Sequence, residues 1–303
     1  PPRSTLFPYT TLFRSTLHFG DFLQRGVIDV LGTEWDDARR VSIPAVGLLD
    51  LARSLPTLRQ FFPTHAAFAQ ATADDLLRAL GQPYRSLRAR TLASTVFLNR
   101  GTRFEPRPLP LEAQLAPAFG VTVADFDGDG AEDLFLAQNS FDLPAGLPRA
   151  DGGRGLLLRG QGDGSFQPIP AHASGIRILG EQRACAVADF DEDGRADLVV
   201  GQNAAAACLL RNASGRPGLR VRLRGPVGNP RGVGAVLRLV FPDRTGPARV
   251  IPGGSGYASQ DSTIPVLATP SEPRRLVIRW PHLPLEEREV PPGAREILVT
   301  SDP

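Results

Sequence analysis

The sequence predicts a mainly β protein made of repeated strand–loop–strand units, interrupted by helices and followed by a second β region. Three observations predict it. Residues 121–139, VTVADFDGDGAEDLFLAQN, recur as residues 185–203, CAVADFDEDGRADLVVGQN, each with an apolar run, an acidic loop, an apolar run and a closing Gln-Asn. An internal repeat outranks any single motif. The flanks VTVA, DLFLA, CAVA and DLVVG are short and rich in apolar or β-branched residues, which makes them strands. Beyond Asn212 the chain reads as strand after strand, beginning with GLRVRLRG, where Leu219, Val221 and Leu223 alternate with arginines.

Each acidic loop places carboxylates on alternate positions. Asp125, Asp127 and Asp129 are followed by Asp133, and Asp189, Asp191 and Asp193 by Asp197. Carboxylates at that density repel one another, and a hard divalent cation with six to eight oxygen ligands at about 2.3–2.6 Å removes that cost. Calcium fits best. Gly130 and Gly194 follow the third acid, where the loop bends and a side chain at positive φ would be strained. The backbone carbonyl of Ala131, or of Arg195 in the second loop, is the expected next ligand. An EF-hand begins the same way but needs a bidentate Glu at position twelve, and that place holds Leu136 or Val200. With strands on both sides, the unit is a calcium-binding β-hairpin.

This pattern, D-x-D-x-D-G-x-x-D between strands, resembles the FG-GAP or VCBS repeat of β-propellers, including the calcium blades of integrin α-subunits. The resemblance implies a partial β-propeller over residues 16–212. Residues 1–15, PPRSTLFPYTTLFRS, resemble translated sequencing-adapter read-through and are set aside as non-native. The chain contains no Met, so residue 1 is not read as a translation start and the chain is read as an N-terminally truncated fragment.

From His18, the line HFGDFLQRGVIDVLGTE lies on the repeat with Asp21 at position one, Gly26 at the bend and Asp29 at position nine. Leu23 and Arg25 stand where the middle carboxylates would be, so this copy is expected to be metal-free, with Arg25 bridging Asp21 or Asp29. Residues 41–90 carry apolar residues at helical spacing and form a helical insertion, with Thr72 as an N-cap, Asp75 three positions on, and Gly81 then Pro83 as a stop. TVFLNRGTRFEP, GLLLRGQGDGSFQP and ACLLRN supply further strands, with Phe104 and Phe166 expected to pack between blades. Asp163 is turn chemistry rather than a ligand.

Residues 213–303 continue with GVGAVLRLVF, ARVIPG, RRLVIRWP and REILV between Gly and Pro turns. The order NPRGVGA, GGSGYASQ and VIRWP resembles the ASPIC/UnbV domain of the cartilage acidic protein family and its bacterial relatives, implying a small β-sandwich-like domain. After Gln260 the family's Gly-Leu-Gly segment is replaced by VLATP.

No chemistry beyond metal binding is visible. The four histidines are scattered with no zinc spacing, Ser255 in GGSGY lacks the final Gly of a nucleophile elbow, and there is no phosphate or dinucleotide fingerprint. Tyr257, Ser259, Gln260 and Trp280 could line a small pocket. One strand is expected between Cys185 and Cys208, which puts their Cα atoms about 9–10 Å apart, beyond the roughly 7 Å limit of a disulfide. The 303 residues, 42% hydrophobic, suffice for two cores; the net charge of +2 is uninformative, and no basic run with interleaved aromatics points to nucleic acid, so no nucleic-acid partner is expected. No apolar stretch spans a membrane. All cationic residues are Arg, which points to a GC-rich bacterial gene.

The reading is therefore a non-enzymatic, calcium-binding scaffold or binding protein, extracellular, on the cell surface or periplasmic, whose partner is a protein or glycan. The resemblance also implies an alternative, since ASPIC/UnbV-like proteins occur beside enediyne biosynthesis genes: an accessory protein or enzyme of small-molecule biosynthesis.

Overall fold

A computed structural model describes residues 15–89, 91–141 and 149–301. The segment read as adapter-derived lies outside these residues except for Ser15. Strand makes up 38% and helix 12%, so the protein is mainly β. The chain divides into two compact units, Pro1–Ala93 and Ser94–Pro303.

In the first unit, β1 (Thr16–Gly20), β2 (Asp29–Asp36), β3 (Val41–Pro44) and β4 (Arg85–Arg88) form an antiparallel sheet in the order β3-β2-β1-β4. The helical stretch is narrower than its sequence periodicity suggests. It comprises α1 (Leu48–Ser54), α2 (Leu58–Phe61), α3 (His65–Gln70) and α4 (Ala73–Leu80). The flanking residues of the expected insertion are β3 and β4, so the helices interrupt one sheet. The ends of α4 follow its sequence: Thr72 and Asp75 form a capping box and Gly81 closes the helix at φ 63°. Phe22 of the β1–β2 loop and Leu31 of β2 share one apolar cluster with Leu51, Leu58 and Leu76 of the helices and with Leu55, which caps α1.

The second unit begins with the hairpin β5 (Thr95–Asn99) and β6 (Phe104–Pro108). A four-stranded antiparallel sheet follows: β7 (Ala118–Ala124), β8 (Asp133–Gln138), β9 (Leu156–Gly160) and β10 (Phe166–Ile169). After a short turn of helix, α5 (Ala171–Ser174), come β11 (Glu181–Ala188), β12 (Asp197–Asn203) and β13 (Ala205–Leu210), a three-stranded antiparallel sheet.

These layers stack through β8, all six of whose residues are buried. Leu134 and Leu136 face a cluster with Val96, Leu109 and Phe166, while Phe135 and Ala137 face one with Cys185, Leu198 and Val200. Phe166 packs as expected, but Phe104, at the turn end of the two-stranded hairpin, is 65% exposed. Cys185 and Cys208 both lie opposite Val200 on β12, and both thiols are free.

The remaining strands are β14 (Leu219–Arg224), β15 (Val236–Val240), β16 (Arg249–Val250), β17 (Val266–Leu267), β18 (Arg275–Arg279), β19 (Leu285–Glu289) and β20 (Glu296–Thr300). They form two sheets, β17-β14-β20 and β16-β15-β18-β19, with β14 and β20 parallel. Leu219, Val221, Leu223, Leu237, Leu239, Leu276, Ile278 and Trp280 make one shared core. Trp280 is thus a core residue whose Nε1 donates to Glu286, while Tyr257 is exposed, so the two do not line a common pocket.

The second unit unites the repeat sheets with this β-sandwich because the sandwich's loop lies along β11. Ser262 N–H donates to Val187 O, Cys185 N–H to Ser259 Oγ, and Val187 N–H to Asp261 Oδ1. Ser255 supports that loop, its Oγ accepting from Asp261 N–H.

Candidate metal-binding loops

The strands β7–β8 and β11–β12 present two acidic loops, residues 125–133 and 189–197. In the first, Asp125 Oδ1 accepts the Gly128 and Asp129 amides at 2.7 and 3.2 Å, and its Oδ2 accepts the Gly130 amide at 2.6 Å. In the second, Asp189 takes the Asp193 and Gly194 amides at 3.0 and 2.9 Å. Position nine closes each loop. Asp133 accepts the Phe126 amide at 2.9 Å and the Gly160 amide at 2.8 Å, and Asp197 accepts the Phe190 amide at 2.8 Å and the Asn212 amide at 2.7 Å. These bonds aim the carboxylates before any ion arrives.

Three carboxylates of each loop then converge: Asp125, Asp127 and Asp133, and likewise Asp189, Asp191 and Asp197, each bring one ligand oxygen within 4.8 Å of the others. Oxygens about 2.4 Å from a shared centre have at most that separation, so the all-oxygen donor set fits a hard divalent ion. The third acid differs from expectation, since neither Asp129 nor Asp193 belongs to these groups. Asp129 is drawn to the Ala131 amide at 2.8 Å and to Arg159 at 2.7 Å. Asp193 is drawn to the Arg195 amide at 2.9 Å and to the Arg195 guanidinium at 2.7 Å. Ala131 and Arg195 therefore stand beside the third carboxylate through their N–H groups.

Burial sets the protonation of the first loop. It pushes Asp125 up to about 7 against its backbone hydrogen bonds, with Asp133 and Asp129 adding repulsion. It pushes Asp133 up to about 6. Burial would raise Asp129 too, but the Ala131 amide and Arg159 outweigh it and hold it low. In the second loop burial raises Asp189, partly offset by the Gly194 amide and Arg220. Asp125, Asp133 and Asp189 thus resist ionisation without a cation to share.

Sequence reading missed three features. Position four is left-handed in every copy, with φ 53° at Gln24, 74° at Gly128 and 61° at Glu192, and its varied residue types hid it. Arg159 spans Asp127 and Asp129, both at 2.7 Å, and Arg211 spans Asp191 and Asp193. The signal for that pair was the shared Leu-Leu-Arg of GLLLRG and ACLLRN. Arg220 occupies the nominally outward side of an alternating strand yet is 7% exposed, turned onto Asp189.

The loop at residues 21–29 in the first unit keeps the position-one part of this frame and lacks the middle acids. Asp21 accepts the Arg25 and Gly26 amides, both at 2.7 Å, and Asp29 accepts the Leu23 amide at 3.3 Å. Arg25 pairs with Asp29.

Fold and loops together define a β-repeat protein with acidic hairpin loops. Residues 147–200 match the FG-GAP-like repeat family. That window runs from β9 and β10 of one sheet into β11 and most of β12 of the next, so the repeat in sequence is out of phase with the sheet in space. Among curated proteins, none matches the chain. No helix among the described residues is long and apolar enough to cross a membrane.

Proposed function

We propose that the protein is a calcium-binding scaffold or binding module in which the ion rigidifies the two acidic hairpins, and that it performs no catalysis. The carrying observation is the twofold convergence of three carboxylates on a space of calcium size, on the same frame of backbone hydrogen bonds. When bound, the ion supplies charge neutralisation. The chain holds the ligands: Asp125, Asp127 and Asp133 in one loop, Asp189, Asp191 and Asp197 in the other, with Asp129, Asp193 and the carbonyls of Ala131 and Arg195 near enough in sequence to complete the shell. The FG-GAP-like match supports an extracellular or cell-surface setting, where a protein or glycan would be met by the remaining surface.

The test is a set of melting curves with calcium, with magnesium and with chelator. A cation that binds only the folded state stabilises it by about 2.7 kcal/mol at a hundredfold excess over Kd. Magnesium, which demands a tighter octahedron and dehydrates reluctantly, should do less. Equal midpoints in all three conditions would reject the proposal.

A further inference from the structure

The connection from β13 to β14 is bonded to both acidic loops. Arg216 N–H donates to Asp127 O at 3.1 Å, and Gly218 N–H donates to Gly194 O at 2.8 Å. Asn212 Nδ2 donates to Phe126 O at 2.7 Å, and Arg195 Nε donates to Gly215 O at 2.6 Å. At the far end of this linker, Arg220 of β14 is set into the second loop. Its Nε lies 3.1 Å from Asp189 Oδ2, its Nη2 3.0 Å from Glu192 Oε1 and its Nη1 3.2 Å from Glu296 Oε2 on β20. The guanidinium is nearly buried, so one cation from the sandwich serves positions one and four of the loop together with the neighbouring strand.

The Nε contact is an ion pair without hydrogen-bond alignment, and Nε has no other partner. Asp189 Oδ1 is left to the Asp193 amide, on the other side of the carboxylate. Arg220 thus shares Asp189 Oδ2 with the Gly194 amide and does not pair with Oδ1. In the first loop position four is Gly128, where a Cβ would come 2.7 Å from the Arg216 backbone oxygen, and the sandwich's cation meets position eight instead, Arg249 of β16 pairing with Glu132. Both loops meet the linker through backbone hydrogen bonds, but only in the second does the sandwich's guanidinium pair with the position-one carboxylate.

We infer that Arg220 is a positioning residue that couples cation binding at residues 189–197 to docking of the C-terminal β-sandwich, so that the ion acts as a latch between repeat sheet and sandwich. The inference rests on the calcium reading above. An ion that fixes Asp189 fixes the carboxylate that Arg220 holds, and whatever orders that loop also orders Gly194 O, the acceptor for Gly218. By linkage, docking then favours cation binding to the same degree.

Hydrogen exchange with calcium and with chelator tests this on the whole chain, with terbium luminescence reporting metal binding separately. Calcium should slow exchange across residues 212–224 by about fivefold or more, the lower end of ordinary site–site coupling. In Arg220→Gln that slowing should largely disappear while residues 189–197 still respond. Glu192→Gln, at an exposed position that keeps the Asp189 contact, should weaken the effect and guards against a misfolded Arg220 variant. Terbium binding with unchanged exchange over residues 212–224 in the unmutated protein would overturn the coupling alone. Absence of any terbium binding would overturn both the coupling and the calcium reading beneath it.

Discussion

Arg25 Nη2 lies 2.8 Å from Asp29 Oδ1, across a loop that retains the position-one amide bonds of the two acidic loops. A guanidinium pairs with the position-nine carboxylate where the other loops converge three acids. The backbone frame is already built, with Gln24 and Gly26 left-handed at positions four and six. Restoring the missing acids with Leu23→Asp and Arg25→Asp together should create a third terbium site. The variant is expected to lose some stability, because Leu23 packs against the helix-bearing cluster and burying a charge without its ion is costly. A folded double variant with no added terbium signal would show that the frame alone does not make a site.

Proton competition should distinguish the first loop. With Asp125 titrating near 7 and Asp133 near 6, the metal must displace one proton below the first value and two below the second. Calcium affinity in an Asp191→Ala background should therefore fall as pH drops through 7 and fall more steeply below 6. Without metal the sign reverses for stability. Asp125 has a folded value above its ordinary 3.8, so its contribution is fully present below 3.8 and is lost as pH rises through about 7. Asp125→Asn should flatten that part of the stability profile measured in chelator.

Much of this was legible in the sequence because it was local. The four-acid spacing, the glycine at position six, the Thr72–Asp75 cap and the alternation of Leu219, Val221 and Leu223 each act over fewer than ten residues, where periodicity and turn chemistry apply. Long-range partners decided the remainder. Arg220 reads as a solvent-facing residue until residues 189–197 fold beside it. Asp129 reads as a ligand until β9 brings Arg159 within 2.7 Å. The helices read as an insertion between sheets, because the return of β4 to pair with β1 leaves no trace in hydrophobic pattern.

The two acidic loops should be separable. Asp127→Ala removes a ligand from one and Asp191→Ala from the other, and each loop has its own closing amide, from Gly160 or Asn212. Each single variant should retain a calcium-dependent thermal shift smaller than that of the unmutated chain, and the double variant should lose it. A single variant that abolishes the shift would mean that only one loop binds.

Gly160 should be the most sensitive backbone position of the first loop. Its amide donates to Asp133 Oδ1 at 2.8 Å, and a Cβ there would stand 2.1 Å from the carbonyl oxygen of Glu132, a backbone atom that cannot swing aside. Gly160→Ala must push β9 away from the loop, lengthening the bond that orients Asp133. Overpacking of this kind typically costs about 1–3 kcal/mol. The equivalent residue in the next repeat, Asn212, keeps its side chain because its Nδ2 donates to Phe126 O and Ala196 O. The expected result is a lower midpoint in chelator together with weaker calcium binding at residues 125–133, while the loop at residues 189–197, read in an Asp127→Ala background, keeps its affinity. Unchanged calcium affinity at the first loop in a destabilised Gly160→Ala protein would show that Asp133 does not need its amide partner to serve as a ligand.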